Sequence, residues 1–251
     1  MNISTEKLYD EASSNWQRTA PILLSDFTAR PFLREWCEPV ADKAVLDLGC
    51  GEGYFARGLK SQGARHIVGI DISAEMIRGA TEREASEQLG IDYRTGSATD
   101  LKAIDNDAFD LCVAVFLFNY LDLEATRHTM REVHRILRPG GRFVFAVPHP
   151  SLAFLGDNVE PFYFDAQDKG YFSGRDNQFE GRIWRRDGHA VPVRSVHKTV
   201  EDYFAAMRDA GFDKMPEVAE LRATEEHLRV APDWFGPLRD KPLHLAVKLT
   251  V

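Results

Sequence analysis

From residue 44 onward, short apolar runs alternate with stretches whose apolar residues recur every three or four positions. Strands buried on both faces read as continuous apolar runs, and amphipathic helices show a 3.6-residue period, so the alternation predicts βαβ units around a parallel sheet. The strand candidates are 44–48, 66–71, 92–96, 109–115 and 142–147. The first intervening helix is expected from about Gly53 to Ser61, with Phe55 and Leu59 on one face and Gly63 ending it. A second starts at Ser73 as N-cap, carries Glu75 where the helix dipole favours an anion, and ends near Gly90. A third covers about 123–137 and stops at Pro139-Gly140-Gly141.

The flanking regions differ. Residues 1–40 carry scattered apolar positions, among them Leu8, Trp16, Leu23 and Trp36, with Pro21 and Pro31 limiting helix length, so two or three short helices are expected. After residue 150 the alternation lapses until 197, too long for a plain connection, which marks an inserted segment. Within it, 182–186 and 190–196 flank Asp187-Gly188, a pair suited to a tight hairpin turn because both residues tolerate positive φ. Thr199 then caps a helix to Ala210, with Asp202 completing a capping box and Gly211 ending it, and strands are expected at 218–221 and 243–250. The 251 residues are read as one α/β domain.

The chemistry concentrates at Val45-Leu46-Asp47-Leu48-Gly49-Cys50-Gly51-Glu52-Gly53, where a strand runs into a glycine-rich turn that opens a helix. Gly49 and Gly51 let backbone turn sharply and approach a ligand. Asp71 ends the next strand 20 residues beyond Gly51, where a carboxylate can accept hydrogen bonds from both hydroxyls of a ribose. Any adenosine cofactor fits so far. A dinucleotide loop, however, reads Gly-x-Gly-x-x-Gly with its helix N-terminus at a pyrophosphate, whereas here the spacing is Gly49-x-Gly51-x-Gly53 and Asp47 and Glu52 flank it. Two carboxylates repel a pyrophosphate and suit the ammonium of an amino-acid moiety.

The segment Asp47–Gly53 resembles the first motif of the class I S-adenosylmethionine-dependent methyltransferases, in the small-molecule group related to ubiquinone-type enzymes. Val68-Gly69-Ile70-Asp71-Ile72-Ser73, with Met76 following, is similar to the second motif, and Phe109-Asp110 and Leu137-Arg138-Pro139-Gly140-Gly141 resemble later ones. The resemblance implies a Rossmann-like, seven-stranded, mostly parallel sheet with an antiparallel last strand and helices on both faces. It also implies S-adenosyl-L-methionine as cofactor, with S-adenosyl-L-homocysteine as product. Asp47, Gly49, Cys50 and Gly51 then fall on the methionine side, Asp71 on the ribose with Ile72 and Met76 beside it, and Ser97 and Ala98 on the adenine edge. Phe116 falls beside the methionine moiety. Many relatives carry Asp where this chain has Ser97, so Ser97, Asp100 or backbone remain the candidates for the adenine amino contact. Residues 1–40 become a helical lid with Tyr9 and Trp16 over the cofactor, 41–150 the cofactor core, 151–197 a substrate-side insertion and 198–251 a C-terminal helix with strands.

His149 follows the 142–147 strand at the carboxyl end of the sheet and is a candidate general base, or a loop histidine held between Pro148 and Pro150. Asn119 and Tyr120 are candidate substrate and catalytic contacts on the same edge, with core packing as the alternative for Tyr120. The insertion holds Phe154, Phe162, Tyr163, Phe164, Tyr171, Phe172, Phe179 and Trp184, too many aromatics for an exposed loop. It packs as a subdomain or lines an apolar pocket, with Tyr163 and Trp184 as candidate substrate contacts. Arg182, Arg185, Arg186, Arg194 and Lys198 there recognise an anion or form a solvated face.

The expected partner is a small molecule, aromatic or anionic, methylated on O, N or C. A net charge of -8 opposes a nucleic-acid substrate, and Phe116-Leu117-Phe118-Asn119-Tyr120 lacks the Pro-Pro-aromatic motif of amino-methylating DNA enzymes. Macromolecule methylation, NAD-dependent oxidation and cofactor binding without turnover are the alternatives. No metal is expected, since the histidines show no ligand spacing. Cys37, Cys50 and Cys112 are an unpaired set that suits a reducing cytoplasm, and no apolar run reaches the roughly 20 residues of a bilayer span. A cytoplasmic monomer or homodimer, without a membrane partner, is the expectation.

Overall fold

A computed structural model describes residues 4–156, 158 and 160–251. Seven strands form the central sheet: β1 (Ala44–Leu48), β2 (His66–Asp71), β3 (Ile91–Thr95), β4 (Phe109–Val115) and β5 (Leu137–Pro148), joined later in the chain by β9 (Glu217–Leu221) and β10 (His244–Thr250). The order is β3-β2-β1-β4-β5-β10-β9. All neighbours from β3 to β5 pair in parallel, and only β10 runs against both of its neighbours. The final strand of the chain is thus the antiparallel one, and its first residue, His244, lies level with Pro148 at the carboxyl edge of the parallel strands.

Side chains alternate between two cores, as a pleat with a period of two requires. Leu46, Leu48, Phe143, Phe145, Val147, Leu245 and Val247 pack on one face, with Met130 and Val133 of α6 (Leu123–Ile136) and Tyr203 of α7 (Val200–Asp209). Val45, Leu111, Val113, Val144 and Ala146 pack on the other, with Leu33 of α3 (Arg30–Cys37) and Phe55 and Leu59 of α4 (Tyr54–Ser61). Between β2 and β3 runs α5 (Ala74–Glu87), whose cap Ser73 accepts from Met76 N–H at 3.1 Å. The N-terminal region forms α1 (Thr5–Trp16) and α2 (Leu24–Thr28) ahead of α3.

Three boundaries differ from the sequence expectation. β3 spans Ile91–Thr95, one residue earlier at each end than expected, and Gly96 N–H still donates to Asp71 O. β5 begins at Leu137, and Pro139-Gly140-Gly141 forms an irregularity in its pairing with β4 and not a clean break. The insertion forms an antiparallel sheet of β6 (Phe162–Asp165), β7 (Gln178–Trp184) and β8 (Ala190–Val196). In the β7–β8 hairpin only Gly188 has positive φ, with its N–H on Arg185 O, so the turn is a longer bulged type. This sheet shares a third core with Leu23 and Leu24, and with Leu228 and Phe235 of α8 (Glu225–Val230) and α9 (Pro232–Phe235).

Candidate active site

A cavity of about 310 Å³ opens at the carboxyl edge of β1, β2 and β4. The order of the sheet reverses direction between β1 and β4, and such a switch point leaves a crevice where loops diverge to opposite faces.

The glycine loop forms one wall. Gly49 and Cys50 N–H groups donate to Ile70 O at 2.8 and 3.1 Å, and Gly51 N–H donates to Asp71 Oδ2 at 2.8 Å. Gly51, at φ 54°, has no atom within 4 Å of where a Cβ would stand, so its open side is ligand space. Gly53 is required for another reason: at φ 79° it caps α4, and a Cβ there would sit 2.2 Å from Tyr93 Oη.

Asp71 also accepts from Ser73 N–H at 2.9 Å through Oδ1. Asp71 lines the cavity. Burial raises its pKa, against the backbone donors Ser73, Gly51 and Ile72. Asp47 is 1% exposed, and its Oδ2 has no partner among the described residues. Burial, opposed by Arg30 and reinforced by Asp71, pushes Asp47 up to about 7. An unsatisfied buried carboxylate is costly, so this oxygen is poised for an incoming cationic donor.

Glu52 does not share that role. It is bound by Arg18 at 3.3 Å and by Arg57, which corrects the expectation that both flanking carboxylates await an ammonium. Asp26 bridges Arg18 at 3.0 Å and Arg30 at 3.1 Å, and accepts from the N–H groups of Ile22 and Leu23. Burial pushes Asp26 up, but Arg30, Arg18 and the backbone donors outweigh it and its pKa falls below the ordinary value. Arg18 and Arg30 both reach the cavity. Asp26 is a near neighbour of both in the chain, and only Glu52, the second partner of Arg18, comes from a distant segment.

Helix α1 roofs the glycine-loop side. Tyr9 and Tyr120 hydroxyls hydrogen bond, and Asp10 Oδ1 accepts from Ser73 Oγ at 2.6 Å and Glu75 N–H at 3.3 Å. Burial raises the pKa of both tyrosines. Tyr9, Trp16, Asp47, Gly49, Cys50, Gly51, Asp71, Ile72, Met76, Ser97, Ala98, Phe116, Asn119 and Tyr120 all line the cavity. Ser97 Oγ lies 2.8 Å from Thr99 Oγ1, and Asp100 is not on the lining.

Three candidates lie elsewhere. His149 uses both ring nitrogens, with Ser151 Oγ at 2.7 Å and Glu220 Oε1 at 2.9 Å, and it does not line the cavity. Burial lowers its pKa against the pull of Glu220. Tyr163 and Trp184 pack against each other with ring centroids 5.9 Å apart, off the cavity. The pleat is the reason: Phe162, Phe164 and Ile183 occupy the alternate positions of β6 and β7 and, with Val193 of β8, form the wall instead. Of the basic residues there, Arg185 is paired with Asp187, and Lys198, just past the insertion, donates to the carbonyls of Leu121 and Val196. Besides Arg18 and Arg30, the sequence reading missed His244 on the lining, at the start of β10.

Comparison with known proteins agrees with this geometry. Residues 45–141 match the family described as Methyltransferase domain. A demethylmenaquinone methyltransferase of Clavibacter sepedonicus is 32% identical over 154 residues, covering 59% of this chain and 61% of that protein. A ubiquinone/menaquinone biosynthesis C-methyltransferase of Roseobacter denitrificans is 28% identical over 190 residues, 72% of this chain and 70% of that one. The first three curated relatives are spanned over only 37–61% of their length. A crystal structure of an S-adenosylmethionine-dependent methyltransferase from Mesorhizobium loti superposes with a TM-score of 0.67 at 27% identity, covering 88% of this chain and 96% of that chain. Over residues 45–141 the chain is thus similar to the methyltransferase-domain family, and its fold is similar to that of an S-adenosylmethionine-dependent methyltransferase.

Proposed function

We propose that this chain binds S-adenosylmethionine in the cavity and transfers its methyl group to a small molecule with a largely apolar body, releasing S-adenosylhomocysteine. The observation that carries the reading is the pairing of Gly51 N–H with Asp71 Oδ2, which holds loop and carboxylate together on one cavity wall. The carboxylate of Asp71 suits the ribose hydroxyls, and the unpaired Oδ2 of Asp47 suits the ammonium of the methionine moiety. Arg18 and Arg30 supply positive charge for its carboxylate, and Ile72, Met76, Ser97 and Ala98 enclose the adenosine.

A sulfonium methyl is electrophilic when bound, so the protein's task is to align an acceptor in line and exclude water. Roof helix α1 and the inner face of β6–β8 serve the exclusion. The apolar wall of Phe162, Phe164, Ile183 and Val193 supports a small acceptor over a polymer, and the net charge of -8 opposes nucleic acid. Among the described residues no helix is long and apolar enough to cross a membrane. Three buried free cysteines accord with a cytoplasmic enzyme, monomeric or homodimeric.

Calorimetry with S-adenosylmethionine, S-adenosylhomocysteine and NAD tests the cofactor. Binding of the first two without NAD supports the reading, and binding of NAD alone overturns it. Incubation with a metabolite panel, followed by mass spectrometry for a gain of one CH₂, tests turnover.

A further inference from the structure

The geometry points to His244 as the residue that accepts the proton of the methyl acceptor, which makes that acceptor a hydroxyl-bearing molecule with an apolar body. The inference rests on the methyltransferase reading and assigns the other half of the same cavity.

His244 is 2% exposed and lines the cavity between two other lining rings, Phe116 at 5.0 Å and Phe162 at 6.3 Å. Its Nε2 lies 2.9 Å from Thr28 Oγ1. That hydroxyl donates its only proton to Leu24 O at 3.0 Å, so it accepts from the imidazole and fixes the tautomer with hydrogen on Nε2. Nδ1 is left as a bare lone pair, and no group among the described residues meets it. Buried acceptors without partners are rare, and this one belongs to a residue of the cavity wall, where a ligand donor can complete it. Burial, Arg30 and His149 lower the pKa of the imidazole to about 3, so the ring is neutral and Nδ1 offers its lone pair as a hydrogen-bond acceptor.

The chemistry balances. The acceptor oxygen bonds to the methyl carbon, the carbon–sulfur pair stays on sulfur, and the hydroxyl proton passes to Nδ1, which later releases it to water. A weakly basic imidazole suffices, because a hydroxyl becomes strongly acidic as its oxygen takes on carbon. Arg30, 5.4 Å from the Phe116 ring, adds positive charge that favours ionisation of the acceptor oxygen.

The test uses p-cresol, its methyl ether 4-methylanisole, and saturating S-adenosylhomocysteine, with binding read by calorimetry. Wild type should prefer p-cresol by about tenfold, the worth of satisfying one buried acceptor. His244→Phe should reduce the preference to within about twofold, and His244→Asn, whose amide oxygen substitutes for Nδ1, should restore part of it. ¹⁵N spectra of the wild-type protein should show protonated Nε2 and bare Nδ1, independent of how any variant folds. Equal binding of the two probes, binding of neither, a preference that survives His244→Phe, or a proton on Nδ1 overturns the inference. Failure of S-adenosylhomocysteine to bind instead overturns the methyltransferase reading and this inference with it.

Discussion

The two halves of the cavity are assembled in different ways. The glycine-loop half comes from residues 47–53 and 71–76, in two adjacent strands and the turns that leave them, with Ser97 and Ala98 just beyond β3. The aromatic half takes Phe162 and Phe164 from β6, Val193 from β8 and His244 from β10. The first half is a local backbone device whose parts hold one another through main-chain hydrogen bonds. The second exists only because distant segments converge. Substitutions in the first half should therefore weaken cofactor binding, and those in the second should change acceptor binding while sparing the cofactor.

The largest effect is expected from Gly53→Val, which places a branched side chain on Tyr93 at positive φ and should cost about 3 kcal/mol in urea unfolding. Asp71→Ala comes next, with S-adenosylhomocysteine affinity reduced by about ten- to hundredfold in calorimetry, since hydrogen bonds to a charged group are worth about 1.5–3 kcal/mol. An unchanged affinity would remove Asp71 from the ribose.

Asp47 makes a pH-dependent prediction. Its folded pKa of about 7 lies above its ordinary 3.8, so the native state holds the proton more tightly. The associated stability is present at low pH and lost as pH rises through about 7. Asp47→Asn should thus stabilise the free protein by roughly 1–3 kcal/mol at about pH 8 and not at about pH 4. Binding of an ammonium selects the ionised carboxylate, so wild-type affinity for S-adenosylhomocysteine should rise between about pH 6 and 8 and the variant's should stay flat.

In the aromatic half, Phe164→Val should raise the acceptor KM by about five- to tenfold with cofactor affinity unchanged, whereas Tyr163→Ala should leave the KM within about twofold. Equal effects would mean that the wall is not read by alternate residues. The smallest effect is expected at His149. His149→Ala should leave the pH–rate profile of turnover unaltered and cost only about 1 kcal/mol of stability through the lost bonds to Ser151 and Glu220.

The parallel core was legible because apolar runs and helical periods report strand and helix directly, and the motif at 47–53 sits in a strand–turn–helix context that constrains its geometry. Asp71 was legible for the same reason, one βα unit further on. His149 and His244 show the limit. Both stand at the carboxyl edge of the sheet, yet the residue that follows β5 turns to Ser151 and Glu220, and the one that begins β10 reaches the cavity. Sequence position placed His149 at that edge, and the antiparallel course of β10 brought His244 there from the far end of the chain.

By itself the sequence determined the strand–helix alternation, the glycine loop with its two flanking carboxylates, and Asp71 at the end of the next strand, because local backbone and side-chain chemistry encode these. The tertiary structure decided which carboxylate is free, since Arg18 and Arg57 occupy Glu52 and leave Asp47 Oδ2 without a partner. It also decided which face of β6–β8 meets the cavity and which histidine lines it. Those outcomes depend on strand register and on contacts between segments as far apart as Thr28 and His244, which no local pattern of residues records.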